Sequence, residues 1–168
     1  MTAAADGVRL VAVGIGQLEV TNERSTVLVA YGLGSCVAVT AFDPMARVAG
    51  MVHVLLPCSE GRAASASEPG RYADTGIDEL LRRMSELGAL RSRLVLKAAG
   101  GASVLGAANG EKFKIGERNA EAIRERLRHH GLRLAAEDFG GESGRTMELH
   151  SATGRTFVRT AAAAPHEL

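Results

Sequence analysis

Two residues of this chain, Cys36 and His53, have the makings of a nucleophile and its base. A thiolate attacks carbonyl carbon readily and an imidazole can take up and return the thiol proton, which is the minimal apparatus of covalent amide hydrolysis. The two flank Asp43-Pro44-Met45-Ala46, a turn in which proline presets the first corner and aspartate can bond its own backbone. If Phe42 pairs with Arg47 across that turn, the register sets Cys36 opposite His53, with Cβ atoms ~4.5–5.5 Å apart. The same parity puts Val37, Val39, Val52 and Val54 on the other face, a stripe fit for a core. Just before the thiol, Gly32-Leu33-Gly34-Ser35 offers an open approach, and backbone amides around Gly34, Ser35 and Cys36 are candidates to hold an oxyanion. The competing reading of the same residues is a small buried thiol and a satisfied structural histidine. Register arithmetic alone leaves both open.

The elements that must position this pair follow from hydrophobic periodicity. Val8 to Val20 reads as a strand bent at Gly14 and Gly16, and Ser25–Tyr31, Cys36–Phe42 and Arg47–Leu56 as three more. Residues 59–71, small and polar, form a surface loop. Asp74 or Thr75 caps a helix with Ile77, Leu80, Leu81, Met84 and Leu87 inward and Gly88 beyond its end. A short strand, Leu94–Ala98, runs into Gly100-Gly101-Ala102-Ser103. A second helix, Gly116–His130, buries Ala120, Ile123 and Leu127. Leu132–Asp138, Thr146–His150 and Thr156–Thr160 complete the strands. Strands in runs with two late helices predict an α+β fold with mixed or antiparallel sheets. A single domain spans 1–168, with an ordered core over 8–160 and flexible ends at 1–7 and 161–168.

Composition narrows the function classes. With 20 Lys and Arg against 19 Asp and Glu, the formal charge is +1, so no global field gathers nucleic acid or anionic lipid. Residues 25–42 lack charge, but Gly32, Gly34, Ser35 and Thr40 break the stretch into two strands rather than a membrane span. The start of the chain lacks the basic and apolar regions of a secretory signal, and two cysteines without paired spacing fit neither a disulfide scaffold nor a zinc site; a cytoplasmic protein is expected. Cys58, five residues past His53, is ~16 Å further along an extended strand and reads as a bystander thiol. His129, His130, His150 and His166 have no evident partners in the sequence.

Gly32-Leu33-Gly34-Ser35-Cys36-Val37-Ala38-Val39 and Gly50-Met51-Val52-His53-Val54-Leu55-Leu56-Pro57 are followed by four further blocks. These are Pro69-Gly70-Arg71-Tyr72-Ala73-Asp74-Thr75, Ala99-Gly100-Gly101-Ala102-Ser103, Ile115-Gly116-Glu117-Arg118-Asn119 and Ala136-Glu137-Asp138-Phe139-Gly140-Gly141. In this order the chain resembles the CheD family, the chemoreceptor glutamine deamidases of bacterial chemotaxis. The resemblance implies hydrolysis of glutamine side chains on the cytoplasmic helices of chemoreceptors, releasing ammonia and leaving glutamate, without metal or organic cofactor. It implies a layered β/β/α fold shared with the deamidating domain of cytotoxic necrotizing factor toxins. The nucleophile then matches Cys36 and the base His53. Read on its own residues, Gly100-Gly101-Ala102-Ser103 allows close backbone approach beside the site, with Gly101 and Ser103 as oxyanion or substrate-loop candidates and a packing loop between strand and helix as the alternative. One position departs from the family: a catalytic threonine is common six residues before the cysteine, where this chain has Ala30. The backbone carbonyl at Ala30 could serve instead as the acceptor that orients the imidazole. With that threonine missing, the alternative to an enzyme is an adaptor that binds receptors and a CheC-type phosphatase without efficient turnover.

Overall fold

The computed structural model describes residues 7–104 and 114–168. Met1–Asp6, most of the expected N-terminal tail, lie outside the described residues. Among the described residues, two five-stranded mixed sheets stack face to face, and two α-helices cover the outer face of one of them. The strands are β1 (Arg9–Ala12), β2 (Leu18–Thr21), β3 (Thr26–Leu33), β4 (Val37–Asp43), β5 (Val48–Val54), β6 (Val95–Gly100), β7 (Ala136–Phe139), β8 (Arg145–His150), β9 (Thr156–Thr160) and β10 (Ala163–Glu167). The first sheet has the order β1-β3-β8-β9-β10 and the second β2-β5-β4-β6-β7. Helices α1 (Ala73–Glu86) and α2 (Ile115–His129) pack on the second sheet. The result is the α+β, β/β/α layering expected.

Alternation along β4 and β5 builds both cores at once. Val37, Val39, Val52 and Val54 meet Ile77, Leu80, Leu81 and Met84 of α1 and Ile123 and Leu127 of α2 on the helix side. On the opposite face Cys36, Ala38, Ala49 and Met51 meet Leu28, Ala30, Met147 and Leu149 of the first sheet. The predicted faces of Val37, Val39, Val52, Val54 and Cys36 are therefore correct. Their register is not. Asp43 pairs with Val48 and Ala38 with His53, a displacement of two residues from the expected pairing. The cause is the turn: the Asp43 carboxylate accepts the amides of Met45 and Ala46, its carbonyl accepts that of Arg47, and Arg47 takes a left-handed conformation at φ +56°. An even displacement preserves faces, so Cys36 and His53 stay on one side of the sheet, now diagonal rather than opposite.

Other boundaries also differ from expectation. The bent first strand is two strands in different sheets, joined by a crossover at Val13–Gln17. Helix α1 starts after Tyr72 without a side-chain cap. The Asp74 carboxylate instead accepts the Ser59 amide and hydroxyl. Leu87, expected inward, is 40% exposed at the end of α1. The C-terminal segment expected to fray forms β10, paired with β9 and tied by an Arg155–Glu167 ion pair at 2.9 Å. His130 and His166, which lacked evident partners, lie 2.7 Å from Asp78 and 3.2 Å from Asp138 respectively.

Candidate active site

The chain crosses between the sheets directly over His53. Gly16 donates its amide to the His53 carbonyl at 2.9 Å, and the His53 amide donates to Gln17 at 3.0 Å. This places the Val13 carbonyl 2.9 Å from His53 Nδ1. A carbonyl can only accept, so the proton is on Nδ1 and the lone pair on Nε2. Val13 is itself fixed by its amide bond to the Val29 carbonyl, 2.8 Å away in β3. The acceptor is thus Val13 and not Ala30, whose residue is paired with Met147 in the β3–β8 ladder and contributes only a methyl to the inter-sheet core.

His53 Nε2 is buried and meets no hydrogen-bond partner among the described residues. Such a nitrogen is costly to leave unsatisfied in a resting protein and is available to a proton donor that arrives. Cys36, 7% exposed, shares its sheet face from the position just before β4. Burial pushes the Cys36 thiol above its ordinary range, countered only in part by its own backbone amide. Burial likewise pulls the His53 imidazolium below its ordinary range, countered in part by the bond to Val13. Both shifts favour the uncharged forms, thiol and imidazole. Proton transfer is left to the moment when substrate closes the site.

The loop carrying the thiol is held from two sides. The Gly101 amide donates to the Cys36 carbonyl at 2.9 Å and the Ala102 amide to the Gly34 carbonyl at 2.8 Å. Gly100 has φ +122°, and a Cβ there would lie 2.2 Å from the Cys36 carbonyl oxygen, so only glycine permits this approach. Arg145, nearly buried, donates to the carbonyls of Gly100 and Asp138 at 2.9 and 2.7 Å and also to that of Gly140, pinning the 138–141 loop behind. From α2, Asn119 Nδ2 donates to the carbonyls of Ser35 and Leu55 at 2.9 and 3.0 Å.

These bonds sort the candidate oxyanion and substrate-loop residues. The Gly101 amide is engaged with the Cys36 carbonyl and the Ser103 amide with that of Gly141, so both amides brace the loop. Outside the strand ladders no described backbone carbonyl accepts from the amides of Gly34, Ser35 and Cys36, the Cys36 amide turning toward its own thiol, and Gly34 and Ser35 are only half-buried. Cys58 is an exposed free thiol that accepts the Glu60 amide at 3.4 Å and donates to the Asp74 carboxylate at 3.6 Å. Val13, Asn119 and Arg145 escaped the sequence reading. Val13 acts through its carbonyl and carries no side-chain signal, while Asn119 and Arg145 stood among ordinary helix and strand residues.

Comparison with known proteins places this arrangement. The family model described as CheD chemotactic sensory transduction matches residues 55–160. The Probable chemoreceptor glutamine deamidase CheD of Symbiobacterium thermophilum is 48% identical over 161 residues, covering 95% of this chain and 98% of that protein. The Chemoreceptor glutamine deamidase CheD of Thermotoga maritima is 42% identical over 147 residues, covering 88% and 89%. That of Halalkalibacterium halodurans is 41% identical over 152 residues, covering 90% and 93%. Among solved structures, Bacillus licheniformis hypothetical protein YfiH overlays 86% of this chain and 70% of its own with a TM-score of 0.45 and 16% identity, too distant to bear on fold or function. With a family model matched over more than half its length and relatives this similar over nearly all of it, the chain belongs to the CheD family.

Proposed function

We propose that this protein deamidates glutamine side chains of chemoreceptors, with Cys36 as nucleophile and His53 as general base and acid. The observation that carries the reading is the imidazole: Nδ1 donates to Val13, and Nε2, which keeps the lone pair, is buried and unpartnered among the described residues on the face shared with Cys36. When a carboxamide enters, Nε2 takes the Cys36 thiol proton as sulfur bonds to the amide carbon. The carbonyl oxygen becomes an oxyanion, stabilised by the amides of Gly34, Ser35 and Cys36. The imidazolium, held by Val13, returns its proton to the nitrogen, the C–N bond breaks, and ammonia leaves a thioester on Cys36. His53 then takes a proton from water, which adds to the thioester carbon; collapse expels the sulfur with that proton and leaves glutamate.

The substrate follows from the names of the relatives, which are chemoreceptor glutamine deamidases. No described helix is long and apolar enough to cross a membrane, and action from the cytoplasm on the receptors' cytoplasmic helices is the arrangement we propose. The adaptor reading, with a CheC-type phosphatase as partner and no turnover, is not favoured, because a passive surface needs no buried imidazole with an open nitrogen. The test is ammonia release, with mass spectrometry of Gln-to-Glu conversion, on a receptor cytoplasmic fragment with wild type, Cys36→Ala and His53→Ala. Turnover by wild type and loss in both variants is expected. Turnover retained in either would overturn the assignment.

A further inference from the structure

Asn119 is fully buried in the first turns of α2, yet its two observed bonds leave the helix altogether. One Nδ2 proton goes to the carbonyl of Ser35, the residue before the nucleophile. The other goes to the carbonyl of Leu55, two residues beyond the base and just past the end of β5. The side-chain Oδ1 is buried and unpartnered among the described residues. A buried amide with an orphaned acceptor is a poor packing choice, since an aliphatic side chain would fill the space without that cost. What distinguishes asparagine here is a pair of donors in a fixed plane, able to hold two carbonyls at once.

The platform beneath it is equally constrained. A Cβ at Gly116, in the first turn of α2, would lie 2.4 Å from the Gly101 carbonyl oxygen, and Gly101 in turn donates to the Cys36 carbonyl. Helix α2 therefore reaches the nucleophile loop directly through Asn119 and, one hydrogen bond removed, through Gly116 and Gly101. Across the hairpin, the ladder fixes Val37 against Val54, but Cys36 lies outside β4. Beyond that last rung, the Asn119 amide is the described side-chain link between the nucleophile's loop and the base's strand.

We propose that Asn119 is a positioning residue for the deamidation: its amide sets the separation of Cys36 from His53 without touching substrate. The proposal rests on the deamidase reading above. Cys36 and His53 are diagonal neighbours, and the thiol must come within hydrogen-bond reach of Nε2 for proton transfer. Releasing Ser35 from Leu55 lets the loop drift from that geometry, and a misplacement of ~1 Å at reacting groups can cost ~10²-fold in rate. The same release exposes the buried thiol to small reagents, so turnover and reactivity change in opposite directions.

The experiment uses the full chain carrying Cys58→Ser, so that Cys36 is the single thiol, alone and combined with Asn119→Ala or the near-isosteric Asn119→Asp. Three quantities are read: kcat and KM on a receptor cytoplasmic fragment, the rate of alkylation by iodoacetamide at neutral pH, and the melting temperature. For the Asn119 variants we expect kcat to fall by roughly 10- to 100-fold with KM within twofold, while alkylation accelerates several-fold in protein that is still folded at the assay temperature. A folded Asn119 variant with kcat within twofold of the parent would overturn the proposal. So would equal losses of kcat and alkylation rate that track the melting temperature, the signature of a packing role. If Asn119→Ala does not fold, Asn119→Asp, which keeps the shape and removes the paired donors, decides by the same criteria. Absence of turnover in the folded parent would refute the deamidase reading; in that case unchanged alkylation in the variants would refute the positioning role separately.

Discussion

Replacing Gly100 by alanine should silence the enzyme through one backbone contact. A Cβ at this position would lie 2.2 Å from the Cys36 carbonyl oxygen, while real Cβ contacts below 3.0 Å essentially do not occur. The Cys36 carbonyl or the end of β6 must therefore retreat by about 0.8 Å, comparable with the ~1 Å displacement that can cost a site ~10²-fold. The carbonyl is also the acceptor for the Gly101 amide, so the retreat moves the thiol's own residue rather than a remote loop. In addition, φ of +122° is strained for any L side chain, at roughly 1–3 kcal/mol. Gly88 supplies the control. Its φ of +95° imposes a backbone penalty of the same kind, but a Cβ there meets nothing within 4 Å. Thermal melts and ammonia-release kinetics on a receptor fragment, at a temperature where all proteins are folded, separate the two effects. Both variants should melt lower, and Gly100→Ala alone should lose about 10²-fold in kcat. A Gly100→Ala enzyme with wild-type kcat, or an equal kcat loss in Gly88→Ala, would refute the claim that this contact holds the nucleophile.

Further expectations concern the imidazole and the buried charges. Because Val13 already occupies His53 Nδ1, restoring the family's hydroxyl with Ala30→Thr should change kcat less than about threefold, whereas a gain above tenfold would show that the carbonyl is an inadequate substitute. His53 has its folded-state pKa lowered by burial, so the unfolded chain takes up a proton that the folded one refuses. Stability from this group is complete above the ordinary histidine pKa and is lost as pH falls below it. The melting temperature should drop on acidification through that window, and less so in His53→Gln, as calorimetry across pH would show. Because burial raises the Cys36 thiol, iodoacetamide should modify exposed Cys58 first at pH 7, with Cys36 following only toward alkaline pH; peptide mapping that finds Cys36 first would contradict its resting protonation. Asp43 is fully buried against Arg93 at 2.8 Å and the Leu90 amide. Burial alone would raise its pKa, but Arg93 and the Leu90, Ala46 and Met45 amides hold it well below the usual carboxylate range. Asp43→Ala removes one partner of that pair and should cost roughly 3 kcal/mol in a denaturant titration, with little change in KM.

Periodicity carried much of the architecture. The α1 residues Ile77, Leu80, Leu81 and Met84 are all buried as their spacing requires, and the alternation of Val37, Val39, Val52 and Val54 set the face of the hairpin. Register depended on a side chain instead, since Asp43 builds its turn by accepting amides and moves the pairing by two. The thiol and imidazole were visible as residue types on one face, but what orients the imidazole was not. Val13 contributes a main-chain oxygen at a crossover between sheets, and no residue type announces such an atom. Strand β10 was missed for a similar reason: Ala163-Ala164-Pro165-His166-Glu167 has no alternation, and the ladder to β9 holds it.

The mechanism requires a thioester on Cys36, and hydroxylamine can intercept that species. Wild-type protein and a receptor cytoplasmic fragment are incubated with hydroxylamine, and the modified glutamine position is read by mass spectrometry. A glutamyl hydroxamate that increases with hydroxylamine at the expense of glutamate is expected, with neither product from Cys36→Ala. Glutamate alone at every hydroxylamine concentration, or glutamate formed by Cys36→Ala, would mean that water attacks the amide directly and would contradict the account.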